Sequence, residues 1–159
     1  MHEPMRWHGL FVVRKFWADD DLARATPYET LEGENLLLTA GATAMWNRLA
    51  GLGAVTAFDG VSGHLCVGSG TQSADNGQTD LQGASKTRKA FDAAPTISSS
   101  GFTAVTTFTV ADANHAWEEA GVANAAVGGV LLNRVVQSFG TKTSSLQWVL
   151  TASLTLQGA

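Results

Sequence analysis

The chain is predicted to be mainly β, an antiparallel β-sandwich or jelly roll with one short helix, and three observations predict it. The first is the run 146–157, in which apolar and small polar residues alternate almost without a break. Period two belongs to a pleated strand with one dry face. Leu146, Trp148, Leu150, Ala152, Leu154 and Leu156 fall on the core side, Gln147, Thr151, Ser153, Thr155 and Gln157 on the other, and Val149 is the exception. A run this long reads as an unusually long antiparallel sheet edge. The second observation is a series of further runs rich in Val, Thr and aromatic residues, separated by turn residues at short intervals, which gives seven to nine strands. The third is that a single segment switches to three- and four-residue spacing. A chain of 159 residues holds one domain with its own core. The expected division is an N-terminal arm, 1–26, and a sandwich domain, 27–159.

The first strand is 7–17, and it stops at the turn-favouring acids Asp19, Asp20 and Asp21. Trp7, Phe11 and Val13 share one parity while Leu10, Val12 and Phe16 share the other, so the strand sits inside a sandwich or lies against another subunit. The second strand is 28–38, punctuated by Pro27, with Gly33 marking a bulge or bend. The helix is 39–51: Thr39 is its N-cap candidate, Ala42, Met45, Trp46 and Leu49 recur at helical spacing, and Gly51 is the stop. It reads as a plug or lid.

A short strand, 64–68, opens the polar and aperiodic surface loop 69–80. A strand emerges from that loop near Lys86. Ser98 to Gly101 form a turn, and a Thr-rich strand, 102–110, follows until Asp112, Ala113, Asn114 and His115 break it. Strands 117–124 and 130–139 flank the hairpin dipeptide Gly128-Gly129, and Gly140 to Thr143 turn the chain into the last strand.

Composition narrows the function classes. The net charge is -4 with a pI near 5.4 and 15% charged residues, against a typical value of about 25%. No cluster of Lys and Arg fits a phosphate backbone, so nucleic acid is not an expected partner. The low charge implies that much of the surface is covered. Cys66 is alone, so no intramolecular disulfide forms, and it reads as a buried structural thiol. Residues 1–6 lack the basic start and apolar run of a signal peptide, and no segment is apolar over the roughly 20 residues that span a bilayer. The expectation is a soluble protein made in a reducing cytosol, with no membrane partner.

Among His2, His8, His64, His115 and the fourteen carboxylates, no set has the spacing of a metal or hydrolase site. The Asp19 to Asp21 triplet lacks the spaced ligands of a calcium loop. Gly68-Ser69-Gly70 lacks the rest of a phosphate loop and reads as a turn. The densest polar stretch is Asp112, Asn114, His115, Glu118 and Glu119, where side-chain hydrogen bonds shaping a turn are the plainer account. Lys86, Arg88 and Lys89 form the one concentration of positive charge, either a solvated strand face or a docking patch. Of the tryptophans at 7, 17, 46, 117 and 148, core or interface packing is the default, with Trp17 the most exposed. No enzyme activity, cofactor or metal is expected.

Several ordered segments are similar to a group of small structural proteins of tailed bacteriophages. They are Gly33 to Gly41 leading into Ala44-Met45-Trp46; Val67 to Gly70 followed by Gln78 to Gly83; Asp112 to Glu119; and Leu132-Asn133-Arg134 with Gly140-Thr141-Lys142. They cover roughly 28–157. The resemblance implies a virion component assembled in the host cytoplasm, a capsid decoration or cement protein on the outside of the head. Its partners would be the major capsid protein and copies of itself, as a trimer, and the alternative is a tail-associated fibre or adhesin module. On this reading Trp7, Phe11, Phe16 and Trp17 of the arm, together with Lys86, Arg88 and Lys89, contact the subunit or the capsid.

Overall fold

The computed structural model describes residues 5–158. Ten strands and one helix follow in order: β1 (Met5–Trp17), β2 (Glu29–Glu34), β3 (Leu36–Leu37), α1 (Thr39–Ala50), β4 (His64–Gly68), β5 (Lys86–Ala90), β6 (Thr96–Ile97), β7 (Gly101–Phe108), β8 (Ala116–Ala123), β9 (Leu131–Thr141) and β10 (Leu146–Gly158). They build two five-stranded antiparallel sheets, one ordered β2-β1-β10-β7-β6 and the other β3-β9-β8-β4-β5. The chain is therefore mainly β, with the sandwich expected from period two.

The last strand is central rather than an edge. β10 runs antiparallel to β1 from Leu146 opposite Trp17 to Gly158 opposite Met5, and its other side pairs β7. An edge strand of thirteen residues would leave a long row of unpaired N–H and C=O groups. Its outward Thr and Ser side chains lie beside equally small ones, with Ser153 Oγ 3.3 Å from Thr103 Oγ1.

The expected arm is not a separate unit. β1 is hydrogen-bonded on both sides, to β10 and β2. Phe11 and Val13 enter the core, and Phe16, on the opposite parity, is also buried. A strand with two apolar faces is built in here, not offered to a neighbour. Residues 1–4 of the arm, His2 among them, lie outside the described residues.

The second predicted strand divides at Asn35. Glu34 pairs Leu10 in the first sheet and Leu36 pairs Arg134 in the second, while the Asn35 N–H donates to the Gly9 carbonyl at 3.0 Å. The chain thus crosses between sheets two residues after Gly33. Gly33 itself is a close-approach position, since a Cβ there would stand 2.9 Å from Val135 Cγ2.

Phe11, Leu65, Val67, Phe108, Trp117 and Trp148 centre the core. Phe108 meets Trp117 and Trp117 meets Trp148 edge-to-face, with centroids 4.8 and 4.9 Å apart. Each such side chain contributes about 1.5–3 kcal/mol by burial, and each aromatic pair adds roughly 0.5–1.5 kcal/mol. A second cluster, Leu38, Cys66, Leu81, Ala123 and Leu131, lies on the other parity of β4 and β8, under the loop that joins β4 to β5.

Helix α1 begins and ends close to expectation, but it packs through its small residues. Gly41 and Ala44 are buried, and a Cβ at Gly41 would meet the Leu132 carbonyl oxygen at 2.1 Å. Backbone contact with β9 therefore sets the helix's rotation and turns Trp46 and Leu49 outward, 65% and 77% exposed. They are not core, and Trp46 is more exposed than Trp17 at 53%. Leu38 holds the N-cap position without a side-chain cap bond, Thr39 opens the helix proper, and Gly51 closes it at φ 66°.

Candidate functional site

Strand direction gives the sandwich two unlike ends. β1, β7 and β9 start at one end, where β8 and β10 finish; here the sheets part and α1 lies across the gap. The result is a groove of about 370 Å³ lined by Trp7, Met45, Phe58, Phe102, Leu132 and Leu154, with the Ser99 and Ser100 turn at its side. A smaller hollow of about 200 Å³ adjoins it, sharing Trp7, Met45 and Leu156 and adding Leu37 and Trp46. No charged side chain among the described residues lines either one. We call this end the mouth.

Exposed apolar side chains gather there. Of the eleven large ones exposed among the described residues, Trp17, Tyr28 and Val110 lie at the far end. The other eight belong to α1 and the loop after it, to the β8–β9 loop, or to β3, β6 and the end of β10.

Away from the mouth several polar groups are tied to one another. Glu119 of β8 and Arg134 of β9 are both fully buried, with Arg134 Nε donating to Glu119 Oε2 at 2.7 Å. The Glu119 carboxylate also accepts the backbone N–H groups of Gly70, Gln82 and Gly83, and Arg134 Nη1 donates to Gln78 Oε1 at 2.9 Å. One ion pair thereby straps the loop 69–85 onto the outer face of the second sheet. Gly68-Ser69-Gly70, expected as a turn, is part of an anion cradle whose anion is the chain's own glutamate. Sequence reading missed this pairing. The signal was present as two adjacent acids, Glu118 and Glu119, in the otherwise apolar run 116–123 and one cation in the apolar run 130–136, since a charge enters a core only in a pair.

The cationic patch is engaged internally, its three cations sharing two carboxylates. Lys86 Nζ and Arg88 Nη2 reach the two oxygens of Asp80 at 3.0 and 2.9 Å, and Arg88 Nη1 donates to the carbonyls of Ala125 and Gly128. Burial opposes ionisation of Asp80, but Arg88 and Lys86 outweigh it and hold the carboxyl below its usual range. Lys89 pairs with Asp112. Little free positive charge remains for an acidic neighbour.

The polar stretch of residues 112–119 is likewise divided. Asp112 accepts from Thr109 as well as Lys89, and these contacts overcome burial to lower its pKa. Lys142 is buried and donates to the Thr109 carbonyl and Asn114 Oδ1 at 2.6 and 2.9 Å; burial lowers its pKa, with the Asp112 charge opposing. His115 donates from Nδ1 to the Ala116 carbonyl, and its Nε2 lies 3.1 Å from the Thr87 hydroxyl. Glu118 accepts from Ser138, while Glu119 belongs to the buried pair. The five groups serve separate structural bonds, and no group of three or more His, Cys, Asp or Glu side chains among the described residues stands together as metal ligands.

The residues expected to contact a partner are distributed as follows. Trp7 lines the groove and donates from Nε1 to Asn35 Oδ1 at 3.3 Å. Phe11 and Phe16 are buried within this chain, which removes them as partner contacts. Trp17 stacks on Tyr28 at 4.7 Å beside the acidic turn, where its own N–H is bonded by Asp20. Lys86, Arg88 and Lys89 are paired as described. The structure thus joins Trp7 to Met45, Trp46 and Leu156 around the smaller hollow, a grouping that spacing along the chain does not show. Comparison with known protein families, with curated proteins and with solved structures returns no match to this chain.

Proposed function

We propose that this chain is a structural protein of a tailed-bacteriophage particle: a capsid decoration protein that binds the outside of the head, oligomerises as a trimer and stabilises capsomer contacts. The observation that carries the docking part of this reading is the apolar groove at the mouth of the sandwich, lined among the described residues by no charged side chain. Support for the phage part comes from the ordered segments that resemble such proteins. Several of them, Gly68 to Gly70, Gln78 to Gly83, Glu119 and Arg134, meet in the buried knot of this chain. On this reading the chain turns over no substrate and resides in the virion after assembly in the host cytoplasm.

The test is to add the purified chain to capsid shells lacking it and to average images of heads and tails separately. Density repeating over the head lattice, with raised resistance of the shells to heat, is the expected result. Unchanged heat resistance and no head density would overturn it.

One observation favours an adhesin module as a second reading. The stacked Trp17–Tyr28 pair is exposed beside Asp19 to Asp21, an arrangement suited to stacking on a sugar ring and bonding its hydroxyls. Binding to host envelopes that is lost in Trp17→Ala would support it, and density confined to heads would count against it.

A further inference from the structure

We propose that Asn76 is a self-modification site at which the fold directs the product, an isoaspartyl linkage whose free α-carboxylate sits on the start of α1. Asn76 precedes Gly77, and theirs is the one Asn-Gly pair in the chain. The two residues occupy the corners of a turn at the tip of the strap, closed by the Gln78 N–H donating to the Asp75 carbonyl at 3.1 Å. Both are exposed, so the Asn76 amide can rotate toward the chain that follows it. Glycine there offers a backbone nitrogen with no Cβ to shield it.

The reaction needs only water. The Gly77 nitrogen attacks Asn76 Cγ and gives up its proton; that N–H already donates to Asp75 Oδ1 at 2.9 Å, so an acceptor stands in place. The Cγ–Nδ2 bond breaks, and Nδ2 takes the bonding pair and a proton and leaves as ammonia, which closes a cyclic imide. Water then opens the imide at either carbonyl. Attack at Cγ gives an ordinary aspartyl. Attack at the α-carbonyl breaks its bond to the Gly77 nitrogen, which takes up a proton and stays joined through Cγ, and the α-carbonyl becomes a carboxylate. The α-carbonyl oxygen of Asn76 is the one that accepts the Thr39 N–H at 2.8 Å. Thr39 opens α1, whose first turn has no acidic side chain and whose N-cap, Leu38, makes no side-chain cap bond. A helix N-terminus favours negative charge, so this contact stabilises the oxyanion forming on the α-carbonyl and holds the carboxylate that results.

The product also alters the strap. It adds one negative charge to a chain of net charge -4 and inserts Cβ into the main chain between positions 76 and 77. The turn bond from Gln78 to Asp75 spans that insertion, and Gln78 Oε1 is the group that accepts Arg134 Nη1 at 2.9 Å. Conversion at Asn76 therefore loosens the strap at its tip while it caps the helix. It requires no partner and no particle, so the inference stands apart from the function proposed above.

The experiment stores the full chain at mildly alkaline pH, either folded or unfolded in guanidinium, and follows conversion by ion exchange and peptide mass mapping that separates isoaspartyl from aspartyl. Folded wild type is expected to lose Asn76 to a more acidic form. Its ratio of isoaspartyl to aspartyl should exceed that of the unfolded chain by about two- to fivefold, the effect of a helix N-terminus on a nearby negative charge. Thr39→Pro removes the N–H at a helix position that suits proline and should return the ratio to the unfolded value. Asn76→Gln and Gly77→Ala should stay unconverted over the same period; a Cβ at Gly77 meets only Asp75 Oδ1, at 3.1 Å. The converted form should exchange its Gln78 amide faster than the unconverted chain. A folded chain that keeps Asn76 while the unfolded chain converts overturns the proposal, as does a folded ratio equal to the unfolded one or conversion that maps to another asparagine. A wild-type ratio in Thr39→Pro with unchanged circular dichroism removes the helix from the reaction, and unchanged exchange at Gln78 removes the loosening of the strap; either overturns it.

Discussion

Arg134 donates to Glu119 across adjacent strands at 2.7 Å with both side chains wholly withdrawn from water, and the same carboxylate collects three backbone N–H groups from the strap that crosses it. A buried pair of this kind stabilises only as a pair, because each partner alone is a stranded charge. Replacing Arg134 by Met, or Glu119 by Gln, should each cost about 3–5 kcal/mol in urea unfolding. Glu119→Leu/Arg134→Met together should cost well under the sum. Single variants within about 1 kcal/mol of wild type would show that the strap is held by something else.

Gly70 should tolerate no side chain. An added Cβ would stand 2.5 Å from Glu119 Oε1 and 2.6 Å from the Gly83 nitrogen, so the cradle must open to admit it. Gly70→Ala is expected to lose about 1–3 kcal/mol, and amide exchange at Gln82 and Gly83 should quicken. Wild-type protection at those two amides would contradict the cradle.

Acid should loosen the loops held by Asp80 and Asp112. Both carboxyls are more acidic in the folded chain than their usual 3.8, through Arg88 and Lys86 for the first and Lys89 and Thr109 for the second, in each case against burial. The unfolded chain therefore takes up protons first. The stabilisation is fully present above that value and is lost as pH falls through the lower folded values. Asp80→Asn should flatten the stability profile below about pH 4 while changing little of its shape near neutrality.

Cys66 should be unreactive while the chain is folded. Burial pushes its thiol up to about 12, so almost no thiolate exists at pH 8 and no reagent reaches it. Alkylation should proceed only at the rate of unfolding and become immediate in denaturant. Fast labelling of the folded chain would mean that the second cluster opens readily.

The two kinds of tryptophan should separate cleanly. Trp117→Ala removes a fully buried ring that touches Phe108 and Trp148 and should cost about 3–5 kcal/mol. Trp46→Ser, at concentrations low enough to keep copies apart, should stay within about 0.5 kcal/mol of wild type.

The sequence by itself determined where strands and helix lie, because period two and period 3.6 are local properties of the chain. The run beginning at Leu146 became β10, and Gly51 closed α1 in the left-handed conformation its position called for. Periodicity groups side chains onto a face without saying what covers that face. It placed Trp46 and Leu49 on an apolar stripe, yet only contact between the Gly41 backbone and Leu132 decided that the stripe would face outward. It marked Lys86, Arg88 and Lys89 as a cluster, and only the folded positions of Asp80 and Asp112 paired each of them with a carboxylate. Partner choice, strand order and the pairing of Glu119 with Arg134 are long-range. They follow from which groups the packed sheets strip of water together, a property that no window along the chain contains.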